Sequence, residues 1–292
     1  MRIEVLSDHV GAQHERLTSE LDDNALRLAK HHERLEQATA DLDAARRRRG
    51  PLRRLFRVHS AAERRAQRIV EELDDSIARA RQRHQDLRKR RMQIAGGLEG
   101  EERFRSRLSR LSDEWTYLAG YQNRVGEVDA ILIGPRSVWA VEVKFRRARL
   151  HVDGDEWWFE KHDRDGDVVE TRPAVNGRGH NWGRQASDPA RKLESWLGRN
   201  GFPLRVRTAV VLTNPQASLG GIRNQQVDLV TCDPFEVVHS RRFDGGELSE
   251  TERDAIAELV RMDHRRHEER RSRRRAASGE AGETGGTRVG GV

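Results

Sequence analysis

The feature that most constrains this chain is a pair of short apolar segments separated by a turn. Residues 126–134 read GEVDAILIG and residues 138–144 read VWAVEVK. Between them stand Gly134, Pro135, Arg136 and Ser137. Proline at the second position of a four-residue turn favours types I and II, so the two segments are read as a hairpin. With Ile133 opposite Val138, Asp129 falls opposite Glu142 and Glu127 opposite Lys144. Directly opposite side chains share a face, with Cβ atoms ~5 Å apart. Lys144 lies two residues beyond Glu142 and shares that face too. A slip of one residue would separate the three.

The neighbouring positions are apolar on both sides. Val128, Ala130, Leu132, Trp139, Val141 and Val143 are expected on one face, and Ile131, Ile133, Val138 and Ala140 on the other. Such strands belong inside a sheet. Two carboxylates placed there repel each other and are poorly solvated. A hard divalent cation, Mg²⁺ or Mn²⁺, would compensate, because it takes carboxylate and carbonyl oxygen. Held by Asp129 and Glu142, it would activate water and stabilise a phosphoryl transition state. Lys144 would orient that water or offset developing charge. The competing reading is an ordinary ion pair at a sheet end, since Glu-Val-Lys alone is a weak signal.

The chain around this hairpin divides by composition. Residues 1–95 are expected to form a helical, coiled-coil hairpin. Leu21, Leu28, Leu35 and Leu42 recur every seven residues, with Ala25, His32, Ala38 and Ala45 near the complementary seam, the pattern of a coiled coil. A basic interruption holds Gly50 and Pro51, which a helix interior does not tolerate. A second helical run places Ala66, Ile69, Leu73, Ile77, Ala80 and Leu87 at three- and four-residue spacing. The two helices suggest an antiparallel hairpin, and a homodimer through them is the alternative. The arginines of the interruption, Arg46 to Arg49 with Arg53, Arg54 and Arg57, read as a solvated tip or a phosphate contact. Residues 96–240 hold all six tryptophans and both tyrosines and form the folded domain. Within it, Asp188 and Pro189 read as the N-cap and first turn of a helix that Gly201 ends. Residues 241–270 are expected to carry a C-terminal helix, and residues 271–292 a basic cluster and then a disordered Gly/Ser-rich tail from Ala276.

At the hairpin the sequence resembles the nuclease-related domain family, NERD, a branch of the PD-(D/E)xK restriction-endonuclease-like superfamily. The resemblance runs from about Gly96 to Cys232. Gly97 to Glu101 resembles the opening of the family's first helix, Val128 to Pro135 its acidic strand and turn, and Val138 to Lys144 its E-x-K strand. Trp157 and Trp158, the segment Asn181 to Ala186, and Thr208 to Pro215 resemble its later pieces. Ala130 stands where the family commonly has histidine, and Trp182 where it has proline. The resemblance implies an α/β fold with a restriction-endonuclease-like mixed sheet flanked by helices. It implies Asp129 and Glu142 as metal ligands and Lys144 as the catalytic lysine, with Glu101 and Gln185 in support. The expected activity is Mg²⁺-dependent hydrolysis of phosphodiester bonds in nucleic acid, DNA foremost. The alternative is an inactive module that binds nucleic acid or protein on a coiled-coil scaffold.

Bulk composition narrows the remaining classes. The formal net charge is +7, and 55 Lys and Arg residues outnumber 48 Asp and Glu. A polyanionic partner accounts for this; so does an arginine-rich composition with no partner. Cys232 is the sole cysteine, so no disulfide can form within the chain, and it is read as a small core residue. No run approaches the ~20 apolar residues of a membrane span, and the start has no signal-peptide pattern. These point to a cytoplasmic protein with no membrane partner. No GxxxxGK[ST] loop is present, which argues against nucleotide hydrolysis. The histidines lack zinc spacing, and the acidic runs at Asp153–Asp155 and Asp163–Asp167 lack an EF-hand pattern and read as turns.

Overall fold

The computed structural model describes residues 1–48, 59–163, 165–239 and 245–283. They form two compact units: Val10–Ala95, and Met1–His9 together with Gly96–Val292.

The first unit is a pair of helices formed by most of α1 (His9–Arg47) and by α2 (Ala61–Leu108) as far as Ala95, the end of α2 belonging to the second unit. The pair is antiparallel: Arg83 lies 3.9 Å from Glu20, Asn24 donates to the Ala80 carbonyl at 3.0 Å, and Arg46 reaches Gln67 at 3.4 Å. Among the covered positions of α1 are Leu17, Leu21, Asn24, Leu28, His31, Leu35, Ala38 and Leu42, with His32 and Ala45 half-buried beside them. The first eight alternate by four and three residues, the spacing of a helix-pair seam. Two seam positions differ from expectation. Asn24 is buried and Ala25 exposed, because the repeat runs through 24 and 31. On α2, Val70 is half-buried while Ile69 is half exposed, for the same reason. Leu17, Leu21 and Leu87 form the tightest apolar contact, with Ile94 against them. The Gly50-Pro51 break and Arg49, Arg53, Arg54 and Arg57 lie outside the described residues.

The second unit is α/β. Its main sheet has six strands in the order β1-β2-β3-β4-β8-β10. These are β1 (Arg2–Val5), β2 (Thr116–Gln122), β3 (Glu127–Ile133), β4 (Val138–Lys144), β8 (Val206–Leu212) and β10 (Leu229–Thr231). The sheet is mixed: β1 and β2 are parallel, β2, β3 and β4 antiparallel, and β4, β8 and β10 parallel. The first residues of the chain, counted above with the helical hairpin, are thus an edge strand of this sheet. A second sheet has the order β7-β6-β5-β9, from β5 (Arg149–Asp153), β6 (Glu156–His162), β7 (Val168–Pro173) and β9 (Ser218–Arg223).

Helices cover both faces of the main sheet, as strands apolar on both sides require. On one face, Ala190, Leu193 and Leu197 of α3 (Trp182–Arg199) and Ile256, Ala257 and Val260 of α5 (Glu250–Glu283) pack on Leu118, Ile131, Ile133, Val138 and Ala140. On the other, Phe104 and Leu108 of α2 and Val237 of α4 (Pro234–His239) pack on Tyr117, Leu132, Trp139 and Val141. A third cluster joins Leu150, Trp157 and Phe159 of the second sheet to Trp182, Ala186, Val210 and Leu212.

Two expectations change here. Helix α3 begins at Trp182, not at Asp188, and Pro189 lies inside it. Asn181 is the N-cap, accepting the Arg184 amide at 2.7 Å, and Pro189 is buried within the helix, its carbonyl accepting from Asn123 at 2.9 Å. Helix α5 continues past Ala276 as far as Glu283, in a stretch rich in alanine and glutamate with no proline to stop it. Among the described residues no helix is long and apolar enough to cross a membrane.

Candidate active site

The hairpin has the expected register where it is apolar. Ile133 pairs with Val138, and the ladder runs to Ala130 and Val141. It changes at the acidic end. There the Asp129 carboxylate itself takes the Val143 amide, at 2.6 Å, in place of a ladder pair with Glu142. Glu127 pairs with Gln122 of β2 on its other side, and the ladder with β4 ends before the expected pairs of Asp129 with Glu142 and Glu127 with Lys144.

The neighbouring strand explains why. Gly120 of β2 has φ +69° and falls between the paired positions Ala119–Ala130 and Tyr121–Val128, beside Asp129. A Cβ at this glycine would overlap the Ser7 carbonyl oxygen, so both the left-handed turn and the close approach exclude other residues. Past this point the alternation shifts. Val128 packs with Tyr121, Ile131 and Ile133 under α3 and α5, not with Ala130 and Leu132 as strict alternation predicts. Past the kink the acidic end of β3 keeps its pairing with β2 but leaves the ladder with β4.

β4 stays regular on its other side, with Glu142 beside Val210 and Lys144 beside Leu212 of β8. Glu142 is 5% exposed. Lys144 Nζ donates to Glu142 Oε1 and lies 3.4 Å from Gln185 Oε1. The same ammonium stands 5.8 Å above the Trp182 ring. Gln185 reaches it from the first turn of α3. Asn181 fixes that turn, donating to the Asp155 carbonyl at 2.9 Å while capping Arg184. Gly183 lets the turn pack on Trp157, whose ring a Cβ there would meet at 2.6 Å. Gln185 Nε2 donates to the His180 carbonyl at 3.2 Å, which turns its Oε1 toward the lysine.

Glu101 arrives from α2. Gly100, just before it, is buried against Phe145, the residue after Lys144; a Cβ there would meet the Phe145 Cβ at 2.8 Å. The glycine therefore sets how closely α2 approaches the end of β4. Burial, with Asp129, Glu127 and Glu142 nearby, pushes the Glu101 carboxyl up to about 8. Burial and Asp129 push Glu142 up to about 8 against the pull of Lys144. Burial raises Asp129 too, opposed by Lys144 and the Val143 amide. Burial disfavours the Lys144 charge, but Glu142 and Asp129 outweigh it and the ammonium is held above its ordinary value. Three buried carboxyls, Glu101, Asp129 and Glu142, thus lie close together, with Lys144 as the cation acting on Asp129 and Glu142, while Glu127 beside them is eased by His9 and Arg271.

These five residues thus come together as one electrostatic cluster, although among the described residues no three His, Cys, Asp or Glu side chains are gathered tightly enough to hold a metal ion. The donor chemistry suits a hard divalent cation even so: the nearby groups are carboxylates, and their mutual repulsion is what such a cation relieves.

Residues 96–213 match the family model of the nuclease-related domain. No curated protein and no solved structure matches the chain. The nuclease-related domain contains all five residues above, from Glu101 to Gln185, and its span closes just after β8. Helix α5 lies outside it yet adds to the surroundings of the cluster. Its Asp263 accepts the buried Tyr121 hydroxyl at 2.6 Å, and His264 Nδ1 accepts the Gln122 amide at 3.1 Å. His264 Nε2 is 3.4 Å from Glu268, whose other oxygen is 3.7 Å from His9. Sequence reasoning missed Glu127, Gly120 and this histidine pair. Glu127 was findable, two residues before Asp129 on the same strand. The other contacts join residues more than a hundred positions apart and leave no local pattern.

Proposed function

We propose that the nuclease-related domain of this chain is a divalent-metal-dependent nuclease that hydrolyses phosphodiester bonds in DNA. The observation that carries the reading is the crowding of buried carboxyls at the kinked hairpin, where Asp129 and Glu142 share Lys144 and Glu101 adds a third carboxyl beside Asp129. Asp129 and Glu142 would hold Mg²⁺ or Mn²⁺. When bound, such an ion supplies Lewis acidity toward the phosphoryl oxygens and a water of lowered pKa.

The chain's own residues do the rest. The Val143 amide fixes the Asp129 carboxylate through one oxygen and leaves the other available. Lys144 keeps its proton at Nζ, where it can place water or offset charge on the departing phosphate oxygen. Gln185 and the Trp182 face orient that ammonium. Burial and the neighbouring carboxylates raise the Glu101 carboxyl toward the range in which a general acid or base is useful.

The test is labelled single- and double-stranded DNA with Mg²⁺, Mn²⁺ or EDTA, beside Asp129→Asn and Lys144→Ala. Metal-dependent cutting by the wild type, reduced ~10²-fold or more in both variants, supports the reading. Wild-type cutting rates in the variants would sink it. One observation favours a second reading, a module that binds nucleic acid without cutting: Lys144 is engaged by Glu142. Salt-sensitive binding with no cleavage in any metal would select it.

A further inference from the structure

Several arginines of the sheet unit are matched to acids: Arg103 with Glu99, Arg184 with Asp155, Arg205 and Arg207 with Asp228, and Arg261 with Glu4. One cleft departs from this. It holds about 150 Å³ and is lined by Arg124, Lys192, Trp196, Arg199, Arg266 and Arg270, with Asp263 and His267 at its floor. Among the described residues, Arg124, Lys192, Arg266 and Arg270 have no acidic partner. Asp263 is the lining acid, and it is committed to the Tyr121 hydroxyl and to His267. Arg199 donates to Ser195 and lies over the Trp196 ring, 6.0 Å from its centre.

The cleft is built from three elements in fixed geometry. Lys192, Trp196 and Arg199 are spaced to share one face of α3, and Arg266 and Arg270 one face of α5. The Trp196 indole donates to the Leu259 carbonyl at 3.0 Å and ties the two helices together. Arg124 comes from the turn between β2 and β3, where Asn123 takes the Val125 amide at 3.0 Å and donates to the Pro189 carbonyl at 2.9 Å. Unpaired cations on rigid elements repel one another unless an anion joins them, and guanidinium groups suit phosphate oxygens.

Position identifies the anion. Arg124 is five residues before Asp129, at most about 17 Å along an extended strand. That is about five phosphates along one strand of a duplex, at ~3.4 Å each. We infer that this cleft binds the phosphodiester backbone of the nucleic acid whose cleavage the carboxylate cluster performs, and holds it in register on one side of the cut. The inference rests on the nuclease reading for its substrate but stands on different residues, and half of the cleft lies on α5, outside the matched family span.

The experiment uses the full chain with Arg124→Ser, Arg266→Ser and Arg270→Ser combined. The control is Arg68→Ser, Arg88→Ser and Arg90→Ser, three exposed arginines of α2. Anisotropy of labelled duplex and single-stranded DNA of two unrelated sequences is followed in EDTA across salt concentrations. The expected result is a ~10- to 100-fold loss of affinity for every sequence, with a salt slope shallower by about 2 to 3, in the cleft variant and not in the control. Arg266→Glu alone, at an exposed position, should weaken binding more than Arg266→Ser. Unchanged affinity and slope, equal loss in the control, or no DNA binding by the wild type overturns the inference. Cleavage by the wild type in Mg²⁺ and Mn²⁺ is scored separately. Cleft-dependent binding without cleavage refutes the nuclease and upholds the cleft; cleavage with cleft variants binding as wild type does the reverse.

Discussion

Individual side chains at the acidic end of β3 and β4 carry the strongest consequences. Glu142 and Glu101 both have carboxyls raised to about 8 in the fold, from an ordinary 4.5. A carboxyl raised by folding adds stability that is complete below its unfolded value and is lost as pH rises through its folded one. Metal-free protein should therefore unfold at lower urea as pH climbs from about 5 to 9. Glu142→Gln should flatten that dependence. Added Mg²⁺ should reduce the loss at high pH, because cation binding favours the deprotonated fold; a urea midpoint independent of pH in EDTA would contradict the crowding of carboxyls described. Gly120 is the other pivotal position. Gly120→Ala forces a Cβ into the left-handed region and onto the Ser7 carbonyl, and should cost about 1–3 kcal/mol by chemical denaturation.

Elements show how much of this was legible. The hairpin and its turn were readable because they are local: alternation, one proline and a fixed register suffice, but register alone did not give the acidic end, where the ladder stops and Asp129 takes the Val143 amide. The kink was not readable, since it depends on a glycine of β2 meeting a carbonyl over a hundred residues upstream. The start of α3 was misread because Asp188-Pro189 is a good helix opening in isolation. Asn181 opens the helix seven residues earlier, and burial of Pro189 against the Asn123 turn keeps it intact. Asn181→Ala should remove about 1 kcal/mol of stability and loosen the turn bearing Gln185. It should thus lower any cleavage rate more than it lowers affinity for DNA, as single-turnover kinetics would show. In the helix pair, periodicity placed the leucines correctly but assigned Ala25 and Ile69 in place of Asn24 and Val70. A buried asparagine in such a seam fixes register at a cost in stability. Asn24→Leu should raise the thermal midpoint while admitting other pairings, visible as new species in sedimentation.

At the scale of the whole molecule, the sheet unit is interrupted in sequence. Met1–His9 and Gly96–Val292 form it, and Val10–Ala95 intervenes. Removing residues 1–95 takes away β1 and the Ser7 carbonyl that Gly120 approaches. Removing only residues 10–95, with a short Gly/Ser linker in their place, keeps both. The first deletion should melt several degrees below the second, and equal melting would mean that β1 adds nothing to the sheet. The same arrangement predicts an order of folding, with the helix pair formed before β1 joins β2. Strand β1 pairs with β2, Arg2 with Thr116, across a sequence gap that would make pairing slow for a featureless chain. The helix pair needs only contacts within itself to form. Once zipped, it brings Leu17 against Leu87 and Ile94, so the long gap collapses to a short one. The antiparallel helices then act in time as well as in space: they are the splint that delivers the first strand, made long before its partner, to the sheet it completes.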